Sequence, residues 1–121
     1  YLGALANGSQ VVFAAKGAAA TANSLIYGRR IWINRVFATN QLAVPANCVL
    51  ALEVAKNNAA YAALTTPVSF AAGTAIGTTI TGYWGAAFDI TDVIGMQFNN
   101  TGTAAATALT TINVQLECYI L

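Results

Sequence analysis

The amino-acid sequence predicts an all-β domain, an antiparallel sandwich or barrel, on three observations. Short segments of alternating apolar and polar residues recur along the chain, and turn-forming Gly, Pro or Asn residues separate them. Thr, Asn and Gly are abundant, a mixture that favours strands and turns. No segment gives a convincing helical pattern. Seven or eight short strands are therefore expected in one domain of 121 residues.

The last strand is the clearest, because its alternation is complete. From Ile112 to Ile120 the even-numbered residues are all apolar, whereas the odd-numbered ones are polar or aromatic. An earlier strand is predicted from Cys48 to Ala55, between turn residues at 45–47 and 57–58. Its alternation puts Cys48 on one face together with Leu50, Leu52 and Val54.

A third strand, from Arg30 to Thr39, is bulky on both faces. Regular alternation gives a first face that holds three apolar residues and one charge, namely Ile31, Ile33, Phe37 and Arg35. The second face holds Trp32, Val36 and Ala38. This strand is therefore expected to lie in the middle of a sheet or under a neighbouring subunit.

Four weaker strands complete the prediction: Gln10–Ala15, Val68–Ala72, Ile76–Thr81 and Val93–Asn99. The stretch from Ala55 to Leu64 has a short helix as its alternative, since alanine favours helices. Gly82–Gly85 is interpreted as a loop that presents Tyr83 and Trp84.

The composition argues against most enzymatic and ligand-binding classes. Only nine residues are charged and there is no histidine, so neither a Ser-His-Asp nor a Cys-His arrangement is available. No enzymatic activity, cofactor or metal is therefore expected. The net charge of +1 gives no electrostatic case for nucleic acid. No run has the roughly 20 consecutive apolar residues of a membrane-spanning helix, so no membrane partner is expected.

Two pairs of residues hold the remaining chemical possibilities. Asp89 and Asp92 are interpreted as turn residues, with a cation site or acid–base catalysis as the lesser alternatives. Cys48 and Cys118 are interpreted as two buried thiols. A disulfide is the alternative, and it requires that their strands be neighbours.

Aromatic residues are the candidate contact groups. Trp32, Tyr83 and Trp84 are predicted to contact another protein or a sugar, because Trp and Tyr are enriched at interfaces. The low charge favours the protein contact. A sugar platform would require Tyr83 and Trp84 to be exposed and coplanar on a loop. The uncharged loops between the strands are also expected to be contact surfaces.

The carboxy-terminal half carries a resemblance to a known family. Phe88 to Gly95 reads Phe-Asp-Ile-Thr-Asp-Val-Ile-Gly, and it is followed by Met96 to Ala104 and the alternating last strand. This order resembles the ending of small jelly-roll proteins that decorate the heads of tailed bacteriophages or form head-fibre domains. The likeness covers roughly residues 26–121. Thr91 departs from it, since glycine is common at that turn.

The resemblance implies one jelly-roll domain over residues 1–121, with residues 1–25 as an N-terminal arm plus the first strand. It implies a structural virion protein on the capsid surface, a homotrimer that contacts the major capsid protein or other virion proteins. It implies no catalytic residue. Two alternatives stay open: a carbohydrate- or receptor-binding fibre tip, and a subunit of an extracellular filament that donates Leu2–Ala15 as a strand.

Overall fold

The computed structural model describes residues 10–12, 25–57, 59–102 and 112–121, and the all-β prediction is confirmed for them. This part of the chain forms nine strands and contains no helix, so none of its segments is a membrane-spanning helix. The strands are β1 (Gln10–Val12), β2 (Leu25–Ile26), β3 (Ile31–Asn40), β4 (Leu50–Lys56), β5 (Ala62–Ala63), β6 (Ser69–Phe70), β7 (Thr79–Phe88), β8 (Val93–Asn100) and β9 (Ile112–Ile120).

The strands form two antiparallel sheets that pack as a sandwich. The first sheet has six strands, in the order β1-β8-β4-β5, with β2 also paired to β8 and β6 also paired to β4. The second sheet has three strands, in the order β7-β3-β9. The prediction of a central strand near residues 30–39 is confirmed, because β3 pairs with β7 on one side and with β9 on the other.

Apolar side chains from both sheets fill the space between them. The larger cluster joins Val36 and Ala38 of β3 to Leu52 and Phe98 of the six-stranded sheet. A smaller cluster at one end consists of Ile31, Ile33, Phe88 and Ile94. Removing this apolar surface from water is the main favourable contribution to folding.

One buried amide ties two loops to the end of β3. Asn40 is fully buried, and its Nδ2 donates to the carbonyl oxygens of Leu42 at 2.8 Å and Ala75 at 2.9 Å. Its Oδ1 accepts from the backbone nitrogen of Thr78 at 2.9 Å. Both polar atoms of the side-chain amide are thus hydrogen-bonded to backbone groups, which is the condition for burying an amide without a large penalty.

A bulge crosses the three-stranded sheet and widens from β9 to β7. It lies between the row that contains Ile33 and the row that contains Val36. Between these rows β9 has one residue, β3 has two and β7 has three; they are Glu117 in β9, Asn34 and Arg35 in β3, and Tyr83, Trp84 and Gly85 in β7. Side chains of a regular strand alternate between its two faces, so an odd number of intervening residues keeps the alternation in β9 and β7. In β3 the number is even, and residues after the bulge therefore point to the face opposite to the one that regular alternation predicts.

The predicted faces of β3 are therefore wrong beyond Ile33. Val36 and Ala38 are buried on the same side as Ile31 and Ile33, because the bulge inserts one residue into the alternation. Phe37 lies on the opposite face. Arg35 is exposed there as well, which removes the need to bury a charge.

The loop interpretation of Gly82–Gly85 is also wrong, because β7 runs through it from Thr79 to Phe88. Gly82 is buried in the strand, and a Cβ there would lie 2.6 Å from Cγ2 of Val68 and 2.7 Å from Cδ1 of Leu64. Gly85 has a φ of +67°, the left-handed conformation that glycine supplies at a bulge. Gly82 therefore allows close packing against the sheet, and Gly85 forms the bulge; neither belongs to a turn.

The remaining segments follow the predictions in part. The helical alternative for Ala55–Leu64 is wrong, since β4 continues to Lys56 and β5 pairs back onto it. Gln10–Ala15 is seen as a strand over Gln10–Val12, while residues 13–15 and most of the predicted arm lie outside the described residues. β1 pairs with β8 of its own chain, and the rest of Leu2–Ala15, the segment that the filament alternative would donate, lies outside the described residues.

Candidate functional site

The outer face of the three-stranded sheet carries a cluster of aromatic side chains. Six residues define this surface, called here the aromatic face: Trp32, Arg35, Phe37, Tyr83, Glu117 and Tyr119. The register places Trp32 beside Tyr119, and Arg35 between Tyr83 and Glu117. Tyr83 is 40% exposed and Tyr119 is 52% exposed, whereas Trp32 and Phe37 are half-buried. The sheet thus exposes a largely aromatic patch.

The charges on the aromatic face compensate each other. Nε of Arg35 lies 3.5 Å from Oε2 of Glu117, and Nδ2 of Asn34 donates to the same oxygen at 2.6 Å. The bulge makes this possible, because it turns Arg35 to the outside in the row of Glu117. An exposed ion pair of this kind contributes at most about 1 kcal/mol to stability. Its larger effect is to leave the surface without net charge.

A cavity of about 230 Å³ lies on the aromatic face. Another cavity, of about 260 Å³, lies away from this face. The first cavity lies beside Tyr83 and is lined by Arg35, Thr66, Thr81 and Gly82 as well. The backbone nitrogen of Thr66, one of these lining residues, donates to the carbonyl oxygen of Tyr83 at 3.3 Å. The cavity therefore combines one ring with hydroxyl and guanidinium groups.

The structure separates the three aromatic residues that the sequence singled out. Trp32 and Tyr83 lie on the aromatic face, but Trp84 points into the sandwich and packs against both hydrophobic clusters. The loop platform of Tyr83 and Trp84 is thus wrong, since successive residues of a strand point to opposite faces. Phe37 and Tyr119 were missed. The odd-numbered positions of β9 offered a signal for Tyr119, and none was available for Phe37.

A cluster of charges at one end of the sandwich is structural. Nζ of Lys56 lies 2.8 Å from Oδ2 of Asp92, donates to the carbonyl oxygen of Ala87 at 2.7 Å, and sits 5.2 Å from the ring centre of Phe88. Arg30 and Asp89 form a looser pair nearby, with 3.7 Å between Nε and Oδ1. These residues line the cavity of about 260 Å³.

The interpretation of Asp89 and Asp92 as turn residues is confirmed. The backbone nitrogen of Asp92 donates to the carbonyl oxygen of Asp89 at 3.1 Å, and the nitrogen of Asp89 donates back to Oδ2 of Asp92 at 2.7 Å. That backbone donor, with Lys56 and Asn57, lowers the pKa of Asp92 from 3.8 to about 2. The described residues contain no group of three or more side chains suited to hold a metal ion.

The two cysteines lie against different sheets and are not bonded to each other. Cys48 is fully buried in the larger cluster just before β4, while Cys118 of β9 is half-buried against the smaller one. Burial raises the pKa of the Cys118 thiol, and neighbouring Glu117 raises it further. The interpretation as buried thiols thus fits Cys48 fully and Cys118 in part.

The geometry defines a β-sandwich with an aromatic outer face whose charges compensate each other. No protein-family model, curated protein or solved structure matches the chain.

Proposed function

We propose that the chain is a structural virion protein with a jelly-roll fold, which decorates or cements a capsid through contacts between β-sandwich subunits. The observation that carries this proposal is the aromatic face. Trp, Tyr and Arg dominate the binding energy of protein interfaces, and Trp32, Arg35 and Tyr83 lie together on one rigid sheet. The capsid surface would be the site of action, with other virion proteins as partners and no nucleic acid or membrane.

The strand order supports the jelly-roll part of the proposal. A jelly roll has eight strands, lettered B to I along the chain, in two sheets with the orders B-I-D-G and C-H-E-F. The order β9-β3-β7 corresponds to I-D-G. The order β1-β8-β4-β5 corresponds to C-H-E-F, with β2 and β6 sharing the positions of β1 and β5. Among the described strands, only the position of B beside β9 is left without a counterpart.

The use of charge supports an adhesive role. Three of the basic side chains form ion pairs with carboxylates of the same chain: Arg30, Arg35 and Lys56. The carboxylate of Glu53 accepts instead from the side-chain amides of Gln97 at 2.6 Å and Asn99 at 3.2 Å. Such a surface has little net field, and its exposed apolar groups favour association with other proteins.

Light scattering of the isolated chain tests the proposal. The wild type is expected to have a mass above that of the monomer, and the resemblance predicts a trimer. Tyr83→Ser should weaken assembly because it removes a ring from the aromatic face. Tyr27→Ser is the matched control, since Tyr27 is 49% exposed but lies outside the sheets. A monomer at every concentration, without binding to any virion protein, would contradict the proposal.

Carbohydrate or receptor binding is the second candidate, favoured by the cavity beside Tyr83 with its guanidinium and hydroxyl groups. A panel of immobilised oligosaccharides separates the two functions. Sugar binding that Tyr83→Ser abolishes, in a chain whose mass this variant leaves unchanged, would support the second candidate over the first.

A further inference from the structure

The cavity on the aromatic face is surrounded by exposed polar side chains. It lies where β7 meets the segment that carries Thr66, which forms an isolated bridge with Tyr83. The side chains of Arg35, Thr66, Thr81 and Tyr83 that line it are all exposed. Its volume of about 230 Å³ is below the range of about 300–1,000 Å³ for pockets that hold drug-sized ligands. A site of this size suits a single small ring.

Arg35 supplies the strongest binding group of the cavity. Its Nε lies 3.5 Å from Oε2 of Glu117, and its terminal nitrogens make no hydrogen bond to any described residue. The same oxygen of Glu117 accepts from Nδ2 of Asn34 at 2.6 Å, so Arg35 shares this carboxylate with an amide. The terminal nitrogens of a guanidinium carry only donors, and their fork matches the two oxygens of a carboxylate. The terminal edge of Arg35 is therefore available to a carboxylate from outside the chain.

The hydroxyls of Thr66 and Thr81 are the second set of binding groups. Neither hydroxyl makes a hydrogen bond within the part of the chain that the structure describes. Thr79, the next threonine on the same face of β7, differs in this respect, because its hydroxyl is paired with that of Thr39 at 2.7 Å. A hydroxyl can both donate and accept, and this suits the hydroxyls of a sugar.

Tyr83 supplies an apolar surface beside these polar groups. Its ring lies across the backbone of Gly85, since a Cβ at Gly85 would be 2.6 Å from Cε1, Cζ and Oη of the ring. The absence of a side chain at Gly85 thus allows this position of the ring, which is still 40% exposed. Burying the exposed part against the C–H groups of a sugar ring would remove apolar surface from water on both sides.

We infer that the cavity binds one acidic sugar residue, a pyranose ring that carries a carboxylate. The terminal nitrogens of Arg35 donate to the carboxylate, and the hydroxyls of Thr66 and Thr81 bond to ring hydroxyls. The ring of Tyr83 packs against the C–H groups of the sugar. Since Glu117 leaves this face without net charge, the preference for an acid comes from the short-range fork of Arg35.

The inference rests on the second candidate function, carbohydrate binding, and does not depend on assembly. The cavity of about 260 Å³ does not offer the same chemistry, because its lysine is already engaged. Nζ of Lys56 lies 2.8 Å from Oδ2 of Asp92 and donates to the carbonyl oxygen of Ala87 at 2.7 Å. A ligand carboxylate would also meet the carboxylates of Asp89 and Asp92 there.

Titration of the full chain with small ligands, followed by heteronuclear NMR, tests the inference. The probes are glucuronate with glucose, galacturonate with galactose, and acetate. At least one uronate is expected to bind about tenfold or more tightly than its neutral counterpart and than acetate, because it alone uses both the guanidinium and the ring. The signals expected to shift are the Nε–H of Arg35 and the backbone amides of Thr66, Gly82 and Tyr83.

Conservative variants at exposed positions assign the binding to this cavity. Arg35→Lys keeps the charge but removes the fork, so uronate binding should weaken about tenfold or more. Arg30→Lys is the matched control, since Arg30 is also exposed and loosely paired, with Asp89 at 3.7 Å, but lines the other cavity. Thr81→Val should weaken binding about fivefold, whereas Thr79→Val should leave it unchanged. Equal effects of the two arginine variants would overturn the assignment.

The outcomes of the titration separate this inference from the functions proposed above. If neutral sugars bind as tightly as the uronates, carbohydrate binding stands and the acidic class is overturned. If acetate binds as tightly as the uronates, the ring of Tyr83 takes no part and the inference is overturned. If no sugar binds while the chain assembles in a way that depends on Tyr83, the inference and carbohydrate binding are both lost, and the adhesive function stands.

Discussion

The rings of Trp84 and Phe88 meet edge to face, with their centroids 5.2 Å apart and an angle of 78° between their planes. Edge-to-face contact is a favoured geometry for aromatic pairs. Phe88 belongs to the smaller hydrophobic cluster, and Trp84 packs against both clusters. The pair thus connects the two parts of the core.

Trp84→Ala is expected to lower the free energy of unfolding by about 3 kcal/mol, the usual cost of truncating a large core side chain. Urea unfolding followed by circular dichroism measures this loss. Trp32→Ala is the matched control on the outer face, and its loss should be clearly smaller in the unassembled chain. Equal losses would contradict the assignment of the two tryptophans to opposite faces.

Gly82→Ala is expected to destabilise the sandwich by about 1–3 kcal/mol, the range for overpacking a filled interior. Its Cβ would approach Val68, Leu64 and the carbonyl oxygen of Thr66, all within 2.7 Å. Gly95→Ala is the control, since its nearest neighbour is the hydroxyl of Tyr61 at 3.0 Å on a side chain that can shift. A shift in melting temperature no greater for Gly82→Ala than for Gly95→Ala would refute the close packing of residues 64–68 on β7.

Asn40→Ala should cost roughly 2–4 kcal/mol, because buried backbone groups lose their partners and a small cavity forms. The groups affected are the carbonyls of Leu42 and Ala75 and the nitrogen of Thr78. Asn113→Ala, at an exposed position of β9, should change stability by about 0.5 kcal/mol or less. Denaturant unfolding of both variants is the measurement, and similar midpoints would argue against a structural role for Asn40.

Acid should weaken the fold through Asp92. Its pKa is about 2 in the folded chain and ordinarily 3.8, so the folded state binds this proton less tightly than the unfolded one. The stabilising contribution is complete above about pH 4 and is lost as the pH falls through about 2. Urea midpoints measured across this range should decrease for the wild type.

Asp92→Asn should have a flatter acid profile than the wild type. Asp89→Asn is the control, because it removes the loose contact with Arg30 and leaves the bonds from Lys56 and Asn57 to Asp92 in place. If Asp92→Asn retained the full acid decrease, another carboxyl group would have to be responsible.

The strands that follow unbroken alternation were predicted well, and those that contain insertions were not. β9 matches its prediction from Ile112 to Ile120 because one side packs on the core from Ile112 to Cys118. β3 was found, yet its faces were exchanged after Ile33, since a bulge depends on the pairing with β9 and β7 and the alternation of β3 alone does not locate it. Only Arg35, a charge inside an apolar alternation, indicated that something interrupts the pattern.

The candidate site was predicted in part for the same reason. Trp32 precedes the bulge, so simple alternation separated it correctly from Ile31 and Ile33. Tyr83 and Trp84 were assigned to a loop because glycines flank them. Gly82 is required by its close contact with Val68 and Leu64, which are remote in sequence. Gly85 is required by the bulge, which is set by strand pairing. Whether the aromatic face binds another molecule depends on the surface of that molecule as well, so this sequence alone could not predict it.

The internal compensation of Glu117 by Arg35, described for the aromatic face, also bears on the kinetics of encounter. A patch with no net charge cannot draw a partner across several ångströms of water, so association should proceed at the unsteered rate of about 10⁵–10⁶ M⁻¹ s⁻¹. Added salt would then change neither the on-rate nor the lifetime of the contact much. We therefore expect the proposed contact to form and to persist with little dependence on ionic strength.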